Sequence, residues 1–264
     1  MRPLYRASLG RVLGALFRDQ IPCEGCVIDT SDEVIAPRVK AKLFLRGYEH
    51  DEIRFVKRHL RRDLDVIELG SSLGVVAAHI ARKLDPGRRL VCVEANPALL
   101  KSIWTNVHQN APHARLDVVS GAVEYPPDGR PLVRLGLGFD NLVSKVVEND
   151  AEGKGIVVPA ITLAEILSEY KVDDYALVAD IEGSEAGLVE REGEALARCQ
   201  QVIIELHETT RRGRRVTAED VCRALQDEHG FEMRDRRGLV YVFERPDRSR
   251  TLRPTKTCQV WEGA

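Results

Sequence analysis

The sequence lacks the features that mark integral membrane, secreted and nucleic-acid-binding proteins. None of its apolar runs reaches the roughly 18 residues of a membrane span, and the N-terminus has no uninterrupted apolar core of the kind found in signal peptides. The formal net charge of the 264 residues is only −2, which argues against a protein that binds polyanions in general. We therefore expect neither an integral membrane segment nor a nucleic-acid partner.

Cysteines are few and form no recognisable framework. Six are spread along the chain, and the one close pair, Cys23 and Cys26, has no second pair at the spacing of metal ligands. Cys92 and Cys199 lie in or beside apolar runs, where a cysteine packs as a small core residue. The pattern predicts no metal site and reduced thiols, which favours a cytoplasmic location.

What the sequence does have is an alternation of short apolar runs and segments with helical periodicity. The apolar content of 44% and the charged content of 30% are ordinary for a globular protein, and the length fits one large α/β domain or two small ones. The runs predicted as strands are "LDVIEL", "RLVCVEA", "RLDVVSGAV", "YALVADIEG" and "CQQVIIELH". Alternation with short links predicts a parallel sheet with helices on both faces.

The end of this pattern differs from its beginning. The last two apolar segments, "FEMRD" and "LVYVFE", are joined only by "RRG". So short a link allows antiparallel pairing and excludes a helical crossover. We therefore expect the sheet to end in an antiparallel hairpin.

Four segments organise the chain in this interpretation. Residues 1–47 form an N-terminal helix and extension, 48–246 the main domain, 124–160 an insertion or lid within it, and 247–264 a tail. Residues 5–21 are predicted as a helix with one apolar face, which suits packing on the main domain, on a second copy of the chain or on a membrane surface. The residues of that face are Leu9, Val12, Leu13, Leu16 and Phe17.

Two glycines, Gly70 and Gly74, separate the first strand from the first helix of the main domain. In open α/β sheets, ligands bind beyond the carboxyl ends of the strands, and glycines there let the backbone approach a ligand closely. Glu94 ends the second strand, where a carboxylate can accept hydrogen bonds from the hydroxyls of a ribose. A tight turn beside a solvated glutamate would have the same sequence. The spacing G-x-x-x-G departs from the dinucleotide fingerprint GxGxxG and favours S-adenosylmethionine, which has no diphosphate to hold.

At these residues the sequence resembles the FkbM family of S-adenosylmethionine-dependent methyltransferases. The resemblance is carried by "DVIELGSSLGVVAAHIA", "VCVEANPALL", "ITLAEIL", "VADIEGSEAGLV" and "VIIELH", in this order. It implies a Rossmann-like class I methyltransferase sheet of seven strands, mostly parallel with an antiparallel last strand, and O-methylation of hydroxyls on sugars, glycans or natural products. The chain departs from the family where Glu68 replaces an aspartate and Ser71-Ser72 replace Ala-Asn. We predict that the cofactor contacts Glu68, Gly70, Ser71, Ser72, Gly74, Glu94, Ala95, Asn96, Gly121 and Ala122.

Methyl transfer to a hydroxyl also needs a group that accepts the hydroxyl proton. Asp180 and Glu182 end the fourth strand, and Glu205 and His207 the fifth, so all four lie at the same edge of the predicted sheet. In an extended chain the side chains of Asp180 and Glu182 point to the same side. We predict Asp180, Glu182 and His207 as the catalytic residues. Carboxylates at this edge could also bind Mg²⁺, but we expect no metal.

The acceptor cannot be read from the sequence. Arginine clusters at 211–215 and 234–237 either attract an anionic acceptor or are simply solvated.

Two other functions fit the glycines and Glu94, namely an NAD(P)-dependent reductase or epimerase and a non-catalytic subunit that binds S-adenosylmethionine. Association between copies, through the N-terminal helix or the tail, is a further expectation.

Overall fold

A seven-stranded sheet forms the centre of the computed structural model, which describes residues 3–126, 129–137, 144–146 and 155–246. The tail at 247–264 and parts of the predicted insertion lie outside the described residues. The strands are β1 (Gln20–Cys23), β2 (Cys26–Asp29), β3 (Asp65–Leu69), β4 (Arg89–Glu94), β5 (Arg115–Ser120), β6 (Ala122–Val123), β7 (Leu132–Leu137), β8 (Ser144–Val146), β9 (Gly155–Ile161), β10 (Tyr175–Ala179), β11 (Cys199–Glu205), β12 (Thr209–Arg211), β13 (Arg214–Val216), β14 (Glu232–Arg237) and β15 (Val240–Glu244).

Helices pack on both faces of this sheet. They are α1 (Pro3–Phe17), α2 (Pro37–Phe44), α3 (His50–His59), α4 (Val75–Lys83), α5 (Leu100–Asn110), α6 (Leu163–Tyr170), α7 (Glu185–Arg191), α8 (Gly193–Arg198) and α9 (Ala218–Asp227). Two apolar cores result, one on each face of the sheet. Within the described part of the chain, no helix has the length and apolar content needed to cross a bilayer.

The order of strands in the central sheet confirms the predicted fold class. It runs β14-β15-β11-β10-β3-β4-β5, and the pairs from β11 to β5 are all parallel. From β3 the chain builds outwards through β4 and β5, then returns to add β10 and β11 on the other side of β3. Strand order therefore reverses between β3 and β10, which is where ligands bind in sheets of this kind.

The antiparallel end of the sheet is also confirmed. Strand β15 pairs antiparallel with both β14 and β11. Strand β14 extends to Arg237, so the turn that joins β14 to β15 is formed by Gly238 and Leu239. Gly238 has a positive φ of 59°, which a tight hairpin turn requires and which glycine adopts without strain.

The N-terminal segment is shorter as a helix than its periodicity predicts. Helix α1 ends at Phe17, and residues 20–23 already form a strand that pairs with β2. The predicted apolar face is only partly correct, because Leu13 is buried while Val12 and Leu16 are 63% and 69% exposed. Residues of α1, the β1–β2 hairpin and α2 share an apolar core with the sheet, so the boundary predicted at residue 47 does not separate two cores.

The predicted insertion contributes a small second sheet. Its strands are ordered β6-β9-β7-β8, and β7 pairs antiparallel with both β8 and β9. Val133, Leu135 and Val158 form its apolar core together with Ala122. The small sheet therefore stands on the chain segment that leaves β5, at the carboxyl edge of the central sheet.

One predicted helix is divided in two. The segment "EAGLVEREGEAL" is interrupted at Glu192, between α7 and α8. The Glu192 side chain is buried and accepts hydrogen bonds from the backbone N–H of Leu163 at 2.8 Å and from the hydroxyl of Tyr125 at 2.9 Å. The break therefore places a carboxylate where it caps the start of α6 and ties it to the insertion.

Candidate functional site

A cavity opens at the reversal of strand order, and most of the predicted site residues line it. From the cofactor prediction these are Gly70, Ser72, Glu94, Ala95, Gly121 and Ala122, and from the catalytic prediction they are Asp180 and Glu182. The predicted residues that do not line it are Glu68, Ser71, Gly74, Asn96 and His207. The structure thus brings the ends of β3, β4, β5 and β10 to one cavity, as the topology predicts.

Gly70 is confined by the backbone of the neighbouring strand end rather than by ligand space. Its φ is +84°, and a Cβ at this position would lie 1.8 Å from the carbonyl oxygen of Asp180. The Asp180 N–H in turn donates to the carbonyl of Leu69 at 2.9 Å. The turn after β3 and the turn after β10 therefore pack backbone against backbone, which only glycine allows.

Gly74 and Asn96 lie outside the cavity, and each has a structural role beside it. A Cβ on Gly74 would lie 2.7 Å from the Cα of Ile103, so this glycine lets α5 pack against the start of α4. Asn96 is buried, and its Oδ1 accepts from the N–H of Ala98 at 3.1 Å. Asn96 therefore caps a 3₁₀ turn at Pro97–Leu99 that leads into α5.

Glu94 is buried at the wall of the cavity with both carboxylate oxygens already engaged. Oε2 accepts from the N–H of Ser72 at 2.8 Å, and Oε1 accepts from the N–H of Asn96 at 2.7 Å. Burial raises the pKa of this carboxyl, and the backbone hydrogen bonds oppose that effect. Because each carboxylate oxygen can accept a second hydrogen bond, a ligand hydroxyl can bind without displacing the backbone.

Glu68 lies behind the cavity wall and is only 2% exposed. Cys92 on the adjacent strand donates to its Oε2 at 3.2 Å, whereas Oε1 has no partner of hydrogen-bond geometry among the described residues. Burial raises the pKa of Glu68 to about 7, against the opposing effects of the Ser71 hydroxyl and Cys92. Glu68 therefore differs from Glu94 in that its charge is not met by backbone donors.

Ser72 occupies a backbone conformation that few residues other than glycine adopt. Its φ is 47°, in the left-handed region where asparagine is favoured over serine. The Ser72 hydroxyl is 2.7 Å from the hydroxyl of Tyr48, which comes from the segment before α3. Ser72 is one of the two serines that depart from the family pattern. It is held in place by its contact with Tyr48, which lies outside the loop after β3.

The predicted catalytic residues meet around His207, which lies beside the cavity. The Nδ1 of His207 is 3.1 Å from Glu185 Oε1 and 3.9 Å from Asp180 Oδ1, and its Nε2 is 3.8 Å from Glu182 Oε2 and 3.6 Å from Glu205 Oε1. Burial opposes the charged imidazole, but the Glu185 hydrogen bond and the surrounding carboxylates outweigh it and raise the pKa of His207. Burial also raises the pKa of Asp180 and of Glu205.

The extended backbone assumed for Asp180 and Glu182 is wrong. Strand β10 ends at Ala179, and Glu182 and Gly183 both have positive φ, at 52° and 111°. The turn is held by Glu185, whose two oxygens accept from the N–H groups of Ile181 at 3.2 Å and Gly183 at 2.9 Å. The carboxylate that caps this turn is therefore Glu185, which the sequence interpretation did not single out.

Other residues at or beside the cavity wall come from the part of the chain before β3. Lys42, Tyr48 and Glu49 line the cavity, and Glu52 is 7% exposed beside Glu205 and Asp180. A signal for Glu52 was available, since it shares the buried face of α3 with Phe55 and Val56, and a carboxylate on an apolar face needs an explanation. Its distance in sequence from β10 and β11 concealed what it contacts.

The arginine cluster at 211–215 is largely engaged by carboxylates of the chain itself. Arg211 lies 3.4 Å from Glu124, Arg212 lies 3.2 Å from Glu190, and Arg215 pairs with Glu208 at 2.5 Å. These contacts hold the β12–β13 hairpin against the insertion and α7. Arg211 therefore has a structural role, whereas the side chains of Arg212 and Arg215 remain 58% and 71% exposed in their ion pairs.

Comparison with protein-family models gives a match over most of the chain. The family model described as the methyltransferase FkbM domain matches residues 70–233, more than half of the chain. None of the curated proteins compared with the chain matches it.

Solved structures give looser likenesses. A precorrin-6y C5,15-methyltransferase from Geobacter metallireducens is 15% identical, with 74% of this chain and 87% of that chain covered and a TM-score of 0.37. A fibrillarin from Aeropyrum pernix with bound S-adenosylmethionine is 13% identical, with 73% of each chain covered and a TM-score of 0.41. An O-methyltransferase family protein from Burkholderia thailandensis is 10% identical, with 79% and 59% covered and a TM-score of 0.44. The family assignment rests on the family model alone.

Proposed function

Since this chain belongs to the FkbM family of S-adenosylmethionine-dependent methyltransferases, we propose that it methylates a hydroxyl oxygen of a sugar, glycan or other natural-product acceptor. S-adenosylmethionine is its cofactor, and when bound it supplies an electrophilic methyl group. The observation that supports the reaction is a single cavity that joins the cofactor loop at Gly70 and Ser72 to the carboxylates Asp180 and Glu182.

The residues at the cofactor end fit this nucleoside. Gly70 and Ser72 present backbone at the cavity, and Glu94 offers a buried carboxylate that can accept from the two ribose hydroxyls. Gly121 and Ala122 line the part of the cavity beside β5 and leave room for a flat base because they are small. We assign these residues and Ala95 to cofactor binding, and Glu68, Ser71, Gly74 and Asn96 to support of the cavity wall.

At the other end, we assign Asp180 as the group that takes the acceptor proton. It lines the cavity directly after β10, whereas His207 lies behind it and contacts Glu185. The acceptor hydroxyl loses its proton to this carboxylate while its oxygen takes the methyl group. In this scheme the charge of His207, 3.9 Å from Asp180 Oδ1, favours the ionised form of Asp180, and Glu182 lies 3.8 Å from the other ring nitrogen of His207. The barrier that remains is one of alignment.

The insertion is assigned to the acceptor side of the cavity. Leu135 of β7 contributes to the cavity wall together with Ala122 and Val123. The small sheet stands between β5 and β10 in the chain, so it can cover whatever enters beside Asp180. A cytoplasmic location remains our prediction from the cysteine pattern.

A methyl-transfer assay tests the proposal directly. The purified chain is incubated with S-adenosylmethionine carrying a deuterated methyl group and with a panel of sugar, glycan and polyketide acceptors that contain hydroxyls, amines or both. Mass spectrometry detects the transferred group, and NMR of the product locates it. We expect the label on oxygen. Transfer to nitrogen, or cofactor binding with no turnover on any acceptor of the panel, would contradict the proposed O-methylation.

A further inference from the structure

Three carboxylates from three separate elements converge beside the cavity. Glu52 comes from α3, Asp180 follows β10, and Glu205 ends β11. One oxygen from each lies within 4.8 Å of the others. Like charges at such distances repel strongly unless a proton or a cation lies between them.

The chain satisfies this cluster only in part. Glu52 is 7% exposed and forms a side-chain hydrogen bond with the carboxyl of Glu205, so without a cation these two carboxyls share a proton. Asp180 Oδ1 is fully buried and has no hydrogen-bond partner among the described residues. A buried carboxylate oxygen without a donor is costly, so Asp180 indicates that a further positive group belongs here, and a cation would also replace the proton between Glu52 and Glu205.

His207 fills that role only in part. It forms ion-pair contacts with Glu205 Oε1 at 3.6 Å and with Asp180 Oδ1 at 3.9 Å, both beyond hydrogen-bond distance, whereas its Nδ1 is 3.1 Å from Glu185. A second trio, Asp180, Glu185 and His207, also has the spacing of metal ligands. In that trio Glu185 already accepts from two backbone N–H groups and contacts the imidazole, so its oxygens are committed.

We propose that Glu52, Asp180 and Glu205 bind a divalent cation with a preference for oxygen ligands, of the Mg²⁺, Mn²⁺ or Ca²⁺ type. Carboxylate oxygens are the ligands that such ions take. Two oxygens on opposite sides of one ion lie about 4.2 Å apart for Mg²⁺ and about 5 Å for Ca²⁺, so the observed spacing accommodates one ion with small adjustments. This revises the expectation of no metal, and it depends on the cluster alone, not on the proposed reaction.

The position of the site beside the cavity gives the bound ion a role in the proposed proton transfer. Asp180 also lines the cavity, so an ion on one of its oxygens lies next to the acceptor and leaves the other oxygen free to take a proton. A bound cation makes a coordinated hydroxyl more acidic. The same site therefore supports the proton transfer assigned to Asp180.

Manganese titration of the whole chain tests the site without cofactor or acceptor. After treatment with a chelator and dialysis, free Mn²⁺ is followed by electron paramagnetic resonance, and Mg²⁺ and Ca²⁺ are added as competitors. We expect one Mn²⁺ bound per chain, with the affinity lowered at least tenfold in E52Q and in E205Q. The matched control E169Q replaces an exposed glutamate of α6 and should bind like wild type. Failure of wild type to bind Mn²⁺, or wild-type affinity in both E52Q and E205Q, would overturn the proposal.

Thermal unfolding supplies a second readout that separates a lost ligand from a damaged fold. Without metal, E52Q should unfold at the same temperature as wild type or higher, because the substitution removes one of three repelling charges. With Mn²⁺, wild type and E169Q should be stabilised and E52Q should not. An equal Mn²⁺ shift in E52Q and wild type would contradict the site. Since neither measurement involves turnover, its outcome is distinct from that of the methyl-transfer assay.

Discussion

The carboxylates at the two ends of the site differ in whether backbone N–H groups donate to them. At the cofactor end, each oxygen of Glu94 accepts a backbone N–H, from Ser72 and from Asn96. At the acceptor end, Glu52, Asp180 and Glu205 face one another, and Asp180 Oδ1 has no hydrogen-bond partner among the described residues. Backbone donors meet the charge of Glu94, whereas among the described residues the other three carboxylates have only His207 and one another as polar neighbours of this kind.

This difference corresponds to what each end has to do. A carboxylate already held by the backbone can bind neutral hydroxyls with little rearrangement, which suits a cofactor that binds in the same way in every cycle. Carboxylates without donors change their state when a proton or a cation arrives, which suits the step in which the acceptor loses a proton. The comparison predicts that substitutions at the two ends differ in kind as well as in size.

The largest effect should follow from Asp180→Asn, which tests whether the acceptor end carries the chemistry. The amide keeps the shape of the side chain but cannot take a proton and is a poor ligand for a cation. We expect the turnover number to fall by about 10²–10⁴-fold while the affinity for S-adenosylmethionine, measured by calorimetry, is retained. Asp173→Asn is the matched control, since the side chain of Asp173 is 94% exposed. Normal turnover in Asp180→Asn would shift the chemistry to His207, and loss of cofactor binding would place Asp180 at the cofactor end.

Gly70→Ala should affect both ends at once, because this residue is where their backbones meet. The new Cβ would lie 1.8 Å from the Asp180 carbonyl, at a φ of +84°. We expect the free energy of unfolding to fall by about 2–5 kcal/mol, of which about 1–2 kcal/mol comes from the positive φ and the rest from the clash. Gly87→Ala isolates the first part, since Gly87 has a φ of +87° and nothing within 4 Å of the added atom. Equal losses in the two variants, measured by denaturant unfolding, would show that the contact with Asp180 is not what Gly70 provides.

Gly70 and Asp180 also show how much of the structure can be predicted from the sequence. The alternation of apolar runs and helical segments predicts the central sheet, its reversal point and the antiparallel end, because short-range periodicity and loop length determine them. It therefore also predicts that Gly70 and Asp180 come to one edge. The reason for the glycine was not predictable, since the carbonyl that requires it lies more than a hundred residues away in the chain. Glu52 was missed for the same reason: the contact that makes it informative is tertiary.

Glu68 is the exception to the comparison, a carboxylate of the cofactor end with one oxygen lacking a donor. Its pKa in the folded chain is about 7 against an ordinary value of 4.5, so between these pH values the folded state binds more protons than the unfolded state. Stability contributed by this residue therefore falls as the pH rises through that window. Above it the cost reaches about 3 kcal/mol, at 1.36 kcal/mol for each pH unit.

Glu68→Gln should remove that part of the pH dependence. We expect the variant to gain on wild type, by up to about 3 kcal/mol, as the pH is raised from 4.5 to above 7. Unfolding by denaturant at several pH values measures the difference, and E169Q controls for loss of an exposed charge. A difference between variant and wild type that stays constant with pH would mean that Glu68 is ionised in the folded chain throughout.

The smallest effect on unfolding free energy is expected for Glu94→Gln. Whether this variant loses stability, unlike the same change at Glu52, tests the comparison of the two ends. Both Glu94 oxygens accept backbone N–H groups, so an amide places an NH₂ group against one of two donors and leaves that donor without an acceptor. We expect a loss of about 1–3 kcal/mol in unfolding free energy, with a similar loss in S-adenosylmethionine binding. The same change at Glu52, where a neighbouring carboxylate takes the place of donors, should leave the metal-free chain as stable as wild type or more so. Denaturant unfolding of the two variants, each against wild type, measures the two changes in unfolding free energy. If both lose stability equally, the two ends balance their charges in the same way, and the acceptor end has no need of a proton or a cation that the cofactor end does not share.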